Sequence, residues 1–213
     1  MTDLLAGLLP SREPIAPGAW LLPGYALSDI DTLWTTLQAL TTAAPPRQVF
    51  TPGGRPFSVR LTNCGELGWI SDRRGYRYSA VDPESGQPWP AMPPAFRALA
   101  AQAAETAGFP GFAPDACLVN RYAVGARMSL HQDRDETDFG QPIVSVSLGL
   151  PAIFEFGGLA RTDKPVRVPL QHGDVVVWGG PSRLAFHGIK PVKAGAHPLT
   201  GEARWNLTFR RAG

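Results

Sequence analysis

The chain has 213 residues and a mass of 22.9 kDa, enough for one domain with a full hydrophobic core and no need of disulfides. Its 20 basic and 18 acidic residues leave a formal net charge of +2, which argues against a dedicated, strongly basic nucleic-acid binder. With 44% hydrophobic residues, 23 Gly and 22 Pro, the composition excludes disorder and points to many short strands joined by tight turns.

Residues 1–18 are rich in Pro and Gly and short on pattern, so a wrapped N-terminal arm is expected, followed by a short edge strand at Ala19–Leu22. A helix is expected from Ser28, which can cap the first turn with Asp31 three residues on. Ile30, Leu33, Trp34, Leu37 and Leu40 give this helix one apolar stripe, and Pro45-Pro46 ends it. The segment 47–90 holds a PGG turn (52–54), an alternating run from Phe57 to Thr62 and an aromatic stretch from Trp69 to Tyr78, which read as hairpins over one end of a barrel. A second helix starts at Pro93-Pro94, with Phe96, Leu99, Ala100 and Ala103 inward and Gly108 just past its end. Beyond Pro114, strands are expected at Ala116–Tyr122, Ile143–Leu150, Ala152–Phe156, Val166–Leu170, Asp174–Trp178 and Arg204–Arg210. That many strands without intervening helices indicate a barrel or double-sheet jelly roll.

Only Cys64 and Cys117 are present, far apart and without a C-x-x-C pair, so neither a zinc knuckle nor a disulfide framework is expected. A reducing cytosol fits that usage. The chain opens on no signal-like segment and holds no run of about 18 apolar residues. It is therefore expected to be cytoplasmic, with no membrane partner.

The chemistry concentrates in Leu130-His131-Gln132-Asp133. On an extended backbone residues i and i+2 point the same way, so His131 and Asp133 can grip one metal ion. His187, after the turn Leu184-Ala185-Phe186, completes a set of two histidines and one carboxylate, the facial triad of non-haem iron(II) oxygenases. A rival pair, His172 and Asp174, flanks Gly173 at the mouth of an apolar strand, where the Asp more naturally satisfies turn amides. His197, beside Pro198, reads as structural.

The last strand alternates strictly, with Trp205, Leu207 and Phe209 on one face and Arg204, Asn206, Thr208 and Arg210 on the other. The polar face either meets water or lines a closed barrel. In a barrel two inward arginines demand anionic partners, and a dicarboxylate satisfies both. Asn120 and Tyr122 share a face of another strand and can bond one end of the same anion.

H-x-D…H followed by R-x-N-x-T-x-R resembles the AlkB family of iron(II)- and 2-oxoglutarate-dependent nucleic-acid demethylases. The resemblance runs through nearly the whole chain, including TPGG (51–54), TNCG (62–65), PWPAMP (88–93), SLHQD (129–133), HGDVVVWGG (172–180) and NLTFR (206–210). It implies a mainly β fold with flanking helices (α+β): a double-stranded β-helix, or jelly roll, in a single domain over 1–213. Residues 1–46 would form the arm and strut helix, 47–90 a nucleotide-recognition lid, and 91–213 the second helix and catalytic core. It implies His131, Asp133 and His187 as iron ligands and as the catalytic set. Arg204, Asn120 and Tyr122 would hold the distal carboxylate of 2-oxoglutarate, Arg210 the carboxylate beside its keto group, and Asn206 would support that site. Trp69 and His131 would sandwich the alkylated base, with Asp135 facing its exocyclic amine. Thr51, Tyr76 and Arg161 would grip the flipped nucleotide. The implied reaction uses iron(II), 2-oxoglutarate and O2 to demethylate 1-methyladenine and 3-methylcytosine. The products would be formaldehyde, succinate and CO2. The implied partner is single-stranded DNA, with RNA and double-stranded DNA also open, and the chain is expected to act as a monomer. Leu61 stands where the family often has Met, and Ala185 replaces an aromatic, so substrate range is less defined than reaction.

The charges are unevenly placed along the chain. Residues 47–78, in the expected lid, carry Arg47, Arg55, Arg60, Arg73, Arg74 and Arg77 against Glu66 and Asp72, whereas residues 131–138 carry Asp133, Asp135, Glu136 and Asp138 against Arg134. A near-neutral total thus conceals a basic lid above an acidic mouth.

Overall fold

Period-two alternation and Gly/Pro punctuation shape fourteen short antiparallel strands among the described residues. A computed structural model describes residues 11–213. In chain order it contains β1 (Glu13–Ala16), β2 (Ala19–Leu22), α1 (Ile30–Ala43), β3 (Arg47–Phe50), β4 (Pro56–Gly65), β5 (Gly68–Asp72) and β6 (Gly75–Ser79). Then follow α2 (Pro94–Thr106), β7 (Ala116–Ala123), β8 (Met128–His131), β9 (Ile143–Gly149), β10 (Ala152–Phe156), β11 (Val166–Leu170), β12 (Val175–Trp178), β13 (His187–Ile189) and β14 (Ala203–Arg210).

A large sheet runs β1-β2-β12-β9-β14-β7-β4-β3, a smaller one runs β11-β10-β13-β8, and β5-β6 stands apart as a hairpin. This is the mainly β, jelly-roll architecture that the sequence implied. One face of the large sheet packs Val119, Val144, Val146, Leu207 and Phe209 against Leu33, Leu37, Phe96 and Leu99 of the two helices. The other face packs Leu61, Ile143 and Trp178 against Phe154, Phe156 and Ile189 of the small sheet. Both faces of the large sheet are therefore covered, which decides the fate of β14. Leu207 and Phe209 are fully buried, and so, within a few per cent, are Arg204, Asn206, Thr208 and Arg210. The polar face looks into the barrel, not into water.

Three local expectations change. Residues 1–10 of the expected arm lie outside the described residues, and Glu13–Ala16 forms a strand paired with β2. The edge is therefore β1, and β2 is the next strand inward, bonded also to β12. Pro17-Gly18 turns the chain back on itself, a pairing that single-strand pattern cannot show. Ser28 does not cap α1. A 3-10 turn over Leu27–Asp29 precedes the helix, and the Ser28 hydroxyl donates to Asp29 at 3.3 Å. Finally, β3 and β4 extend the large sheet through β7, so of the four strands in 47–90 only β5 and β6 stand clear of it.

Candidate active site

β8 ends at His131 and β13 begins at His187, and the two residues pair across the small sheet. The close pairing needs Gly188, because a Cβ there would lie 2.6 Å from the Met128 carbonyl oxygen. The chain leaves β8 in extended form, so Asp133 turns back toward the same point. One ligand atom from each of His131, Asp133 and His187 lies within 4.8 Å of the others. His131 Nε2 is 3.5 Å from Asp133 Oδ1, and His187 Nε2 is 3.8 Å from Asp133 Oδ2.

The tautomers are set from behind. His131 Nδ1 donates to the Ser129 carbonyl at 2.9 Å and His187 Nδ1 to the Ala185 carbonyl at 3.0 Å. Both Nε2 lone pairs are thereby left facing the shared point. Burial pushes His187 down to about 4, keeping it neutral and ready to ligate. Burial alone would raise the Asp133 carboxyl, but the Arg210 guanidinium and the two imidazoles outweigh it and hold the group well below the usual carboxylate range. Two imidazoles and one carboxylate on one side of a point are the donor set that suits iron(II) with open positions. Among the described residues this is the one group of three with ligand geometry.

β14 lies beside the triad. Arg210 donates to Asp133 Oδ2 through Nε and Nη2, at 3.0 and 2.7 Å. At the far end of the strand Arg204 is 1% exposed, and burial lowers its pKa. Its Nη2 donates to Ser147 Oγ at 3.0 Å, while Nε and Nη1 have no partner. The guanidinium lies 5.0 Å from the centroid of the Tyr122 ring. Asn120 Nδ2 donates to Asn206 Oδ1 at 3.2 Å, and its own Oδ1 is unpartnered. Asn206 is held by bonds from its Nδ2 to Ser145 Oγ and the Val146 carbonyl. A buried cation with two orphaned donors is costly unless an anion completes it, so the site fits a carboxylate of 2-oxoglutarate.

Above the triad opens a cavity of about 770 Å³, lined among others by His131, Asp133, Arg210, Trp69, Tyr76 and Asp135. Thr51, Asn120 and Arg161 also reach it. Tyr122, Arg204 and Asn206 are buried and do not line it. Trp69 stacks on Tyr76 at 5.3 Å and 19°, and its indole N–H donates to Asp135 Oδ2 at 2.8 Å. Gly68 lets this hairpin sit close to the sheet, since a Cβ there would meet the Trp89 ring at 2.4 Å. Arg161 lies over the Phe186 ring.

The rival pair is a turn. Asp174 accepts the Gly24 and Gln171 amides at 2.8 and 2.7 Å, and His172 Nδ1 accepts the Gly149 amide. His197 Nδ1 accepts the Leu199 amide, and its ring rests on His172. The basic lid is partly self-neutralised. Arg47 pairs with Asp82 and Glu84, and Arg74 and Arg77 pair with Asp72. The arginines that reach the cavity are Arg55, Arg127, Arg134, Arg161 and Arg210.

Sequence reasoning missed Arg183 and counted Glu136 only as part of the acidic mouth. Both are buried, at 2% and 6% exposure, and they pair at 3.0 Å. The one available signal was a cation set inside the otherwise apolar run before His187.

Fold, triad and anion-seeking arginines together define an oxygenase that uses iron(II), 2-oxoglutarate and O2. The family model for the 2OG-Fe(II) oxygenase superfamily matches residues 18–210. The chain is 57% identical over 213 residues to the alpha-ketoglutarate-dependent dioxygenase AlkB of Escherichia coli K12, covering 100% of this chain and 99% of that one. By that likeness it belongs to the AlkB family of the superfamily, and it is an alpha-ketoglutarate-dependent dioxygenase. It is 31% identical to the DNA N(6)-methyladenine demethylase ALKBH1C of Arabidopsis thaliana, covering 94% of this chain and 50% of that one. The solved structure of OsALKBH1 superposes with a TM-score of 0.81 at 31% identity, covering 94% of this chain and 100% of that one.

Proposed function

We propose that this dioxygenase removes methyl groups from 1-methyladenine and 3-methylcytosine in single-stranded DNA, and also in RNA. The observation that carries this reading is one cavity that joins His131 and Asp133 to a stacked aromatic pair, Trp69 and Tyr76, ringed by arginines. A base must leave its stack to reach a buried metal, and an aromatic face replaces the lost stacking.

His131, Asp133 and His187 would hold the iron. Arg204, Asn120 and Tyr122 take the distal carboxylate of 2-oxoglutarate, Arg210 takes the carboxylate beside the keto group, and Asn206 fixes Asn120 from behind. Bound there, the metal would supply the oxidising chemistry that, with O2 and 2-oxoglutarate, turns the N-methyl group into a hydroxymethyl adduct; loss of formaldehyde would restore the base, with succinate and CO2 as the other products. The chain's own residues position and shield the substrate. The Trp69 and His131 rings enclose the base. Asp135, now bonded to the Trp69 indole, lies where a carboxylate favours a cationic N-methylated base and can accept from its exocyclic amine. Thr51, Tyr76 and Arg161 take the phosphates of the extruded nucleotide.

Both lesions lack a free Watson–Crick edge, so their extrusion costs least, and single strands avoid the pairing cost altogether. The few uncommitted arginines suit salt-sensitive scanning more than tight retention. Two free, buried cysteines suit a cytoplasmic protein, and the enzyme acts there as a monomer. Among the described residues no helix is long and apolar enough to cross a membrane.

The test is incubation with iron(II), 2-oxoglutarate and a 3-methylcytosine oligonucleotide, with formaldehyde and succinate both measured. Equimolar formaldehyde and succinate are expected. Succinate without formaldehyde assigns the enzyme another substrate, and neither product overturns the reading.

A further inference from the structure

The loop between β8 and β9 carries Asp133 but no regular secondary structure of its own. Its position relative to His187 is set largely by side chains. Arg183, just after the 3-10 turn Gly180–Ser182, spends all three nitrogens on that loop. Nε donates to the Gln141 carbonyl at 2.9 Å and Nη1 to the Asp133 carbonyl at 2.8 Å, and Nη2 lies 3.0 Å from Glu136 Oε2. A second tie runs the other way, from Gln132 Nε2 to the Leu184 carbonyl at 2.6 Å. The segment bearing two iron ligands is thus pinned to the segment that delivers the third.

Glu136 extends the connection. Its Oε1 accepts the Tyr78 hydroxyl at 2.7 Å and lies 3.3 Å from Arg210 Nε. Arg210 in turn grips Asp133. Asp133, Arg210, Glu136 and Arg183 therefore close a ring that alternates carboxylate and guanidinium, its last link passing through the Asp133 main chain. All four side chains are at most 9% exposed, so each charge depends on its neighbours. Arg210 sits between two carboxylates, and the orientation of its guanidinium depends on where Glu136 is held.

We propose that Arg183 and Glu136 are positioning residues: Arg183 sets the spacing of Asp133 against His187, and Glu136, held by Arg183, aims Arg210 at the cosubstrate. This rests on the ligand triad and on the role of Arg210 given above. Neither residue needs to touch the reacting atoms. Loss of Arg183 has two separable effects. The Asp133 loop loses its tie, which weakens the metal, and Glu136, left with Arg210 as its one cationic neighbour, draws Arg210 away from 2-oxoglutarate.

The experiment is a double-mutant cycle of Arg183→Met, Glu136→Gln and both together, with Arg183→Lys alongside. Mn(II) affinity of the metal-free protein is read by electron paramagnetic resonance, 2-oxoglutarate dependence by the KM against kcat split, and folding by Tm. Arg183→Met is expected to weaken Mn(II) about 10- to 100-fold, the usual range for residues that orient metal ligands, and to raise the 2-oxoglutarate KM. Adding Glu136→Gln should restore the KM while leaving Mn(II) binding weak. Arg183→Lys keeps the charge but not the planar fork, so Mn(II) should weaken with the KM nearly unchanged. That variant decides the question if Arg183→Met fails to fold. Wild-type Mn(II) affinity in Arg183→Lys, or a rise in KM that simply tracks the losses of metal affinity and Tm through the whole cycle, overturns the proposal. Wild-type protein that binds no Mn(II) would instead remove the triad on which it rests.

Discussion

Replacing Arg204 with methionine should separate stability from function in opposite directions. The side chain is 1% exposed, its guanidinium has a single bond to Ser147, and two of its nitrogens face no partner. Burial also lowers its pKa, the mark of a charge held against its own desolvation. Methionine fills a similar stem volume without the charge, and replacing buried charge by a packed apolar group is often neutral or stabilising by about 1–4 kcal/mol. The metal-free Arg204→Met protein should therefore melt no lower than wild type. Cosubstrate binding should collapse, because removing one partner of a buried charged pair costs about 2–5 kcal/mol. At about 1.4 kcal/mol per factor of ten, the KM for 2-oxoglutarate should rise roughly 30- to 4,000-fold. The assay is succinate formation against 2-oxoglutarate concentration, paired with thermal melts with and without Mn(II) and 2-oxoglutarate. Wild-type protein should gain Tm on adding the keto acid, and the variant should not. A KM change below threefold, or a large fall in the Tm of the metal-free variant, would refute the reasoning.

Asp133→Ala removes one of three ligands and leaves Arg210 without its nearest carboxylate. Turnover should vanish through loss of iron, checked by metal content, and full activity at saturating iron(II) would contradict the triad. Trp69→Ala should weaken binding of a methylated oligonucleotide by about 1–3 kcal/mol, the range for one stacked base, while 2-oxoglutarate oxidation without substrate persists. Unchanged base-dependent turnover would remove Trp69 from the pocket. The hairpin region is also anchored by Arg47, which binds Asp82 and holds its carboxyl down to about 2. That depressed value stabilises the fold above the ordinary carboxylate pKa and is lost as pH falls through about 2. Asp82→Asn should accordingly cost about 1–2 kcal/mol at pH 7, and the Tm gap to wild type should narrow on acidification from pH 4 to pH 2. A gap independent of pH would assign the loss to packing alone.

Much of the site was legible in residue order. The H-x-D spacing, the downstream His187 and the strict alternation of Arg204–Arg210 each report local geometry, because strand parity puts i and i+2 on one side whatever surrounds them. The apolar stripes of α1 and α2 and the strands from Ala116 to Trp178 follow from the same local rules. Parity could not say whether the arginine face meets water. That required the small sheet to close over one face of the large one while the helices covered the other. Nor could sequence show that Glu136 is buried while its neighbour Asp135 stays exposed. Charge composition counted Arg47, Arg74 and Arg77 as a basic surface, and the fold spends them on Asp82, Glu84 and Asp72. The Arg183 contacts to Asp133 and Glu136 join residues about fifty positions apart, which no local rule relates. Local sequence set which atoms could ligate and which strand face carried charge. Tertiary closure alone decided which of those charges lost their water, and so which must find a metal, a keto acid or one another.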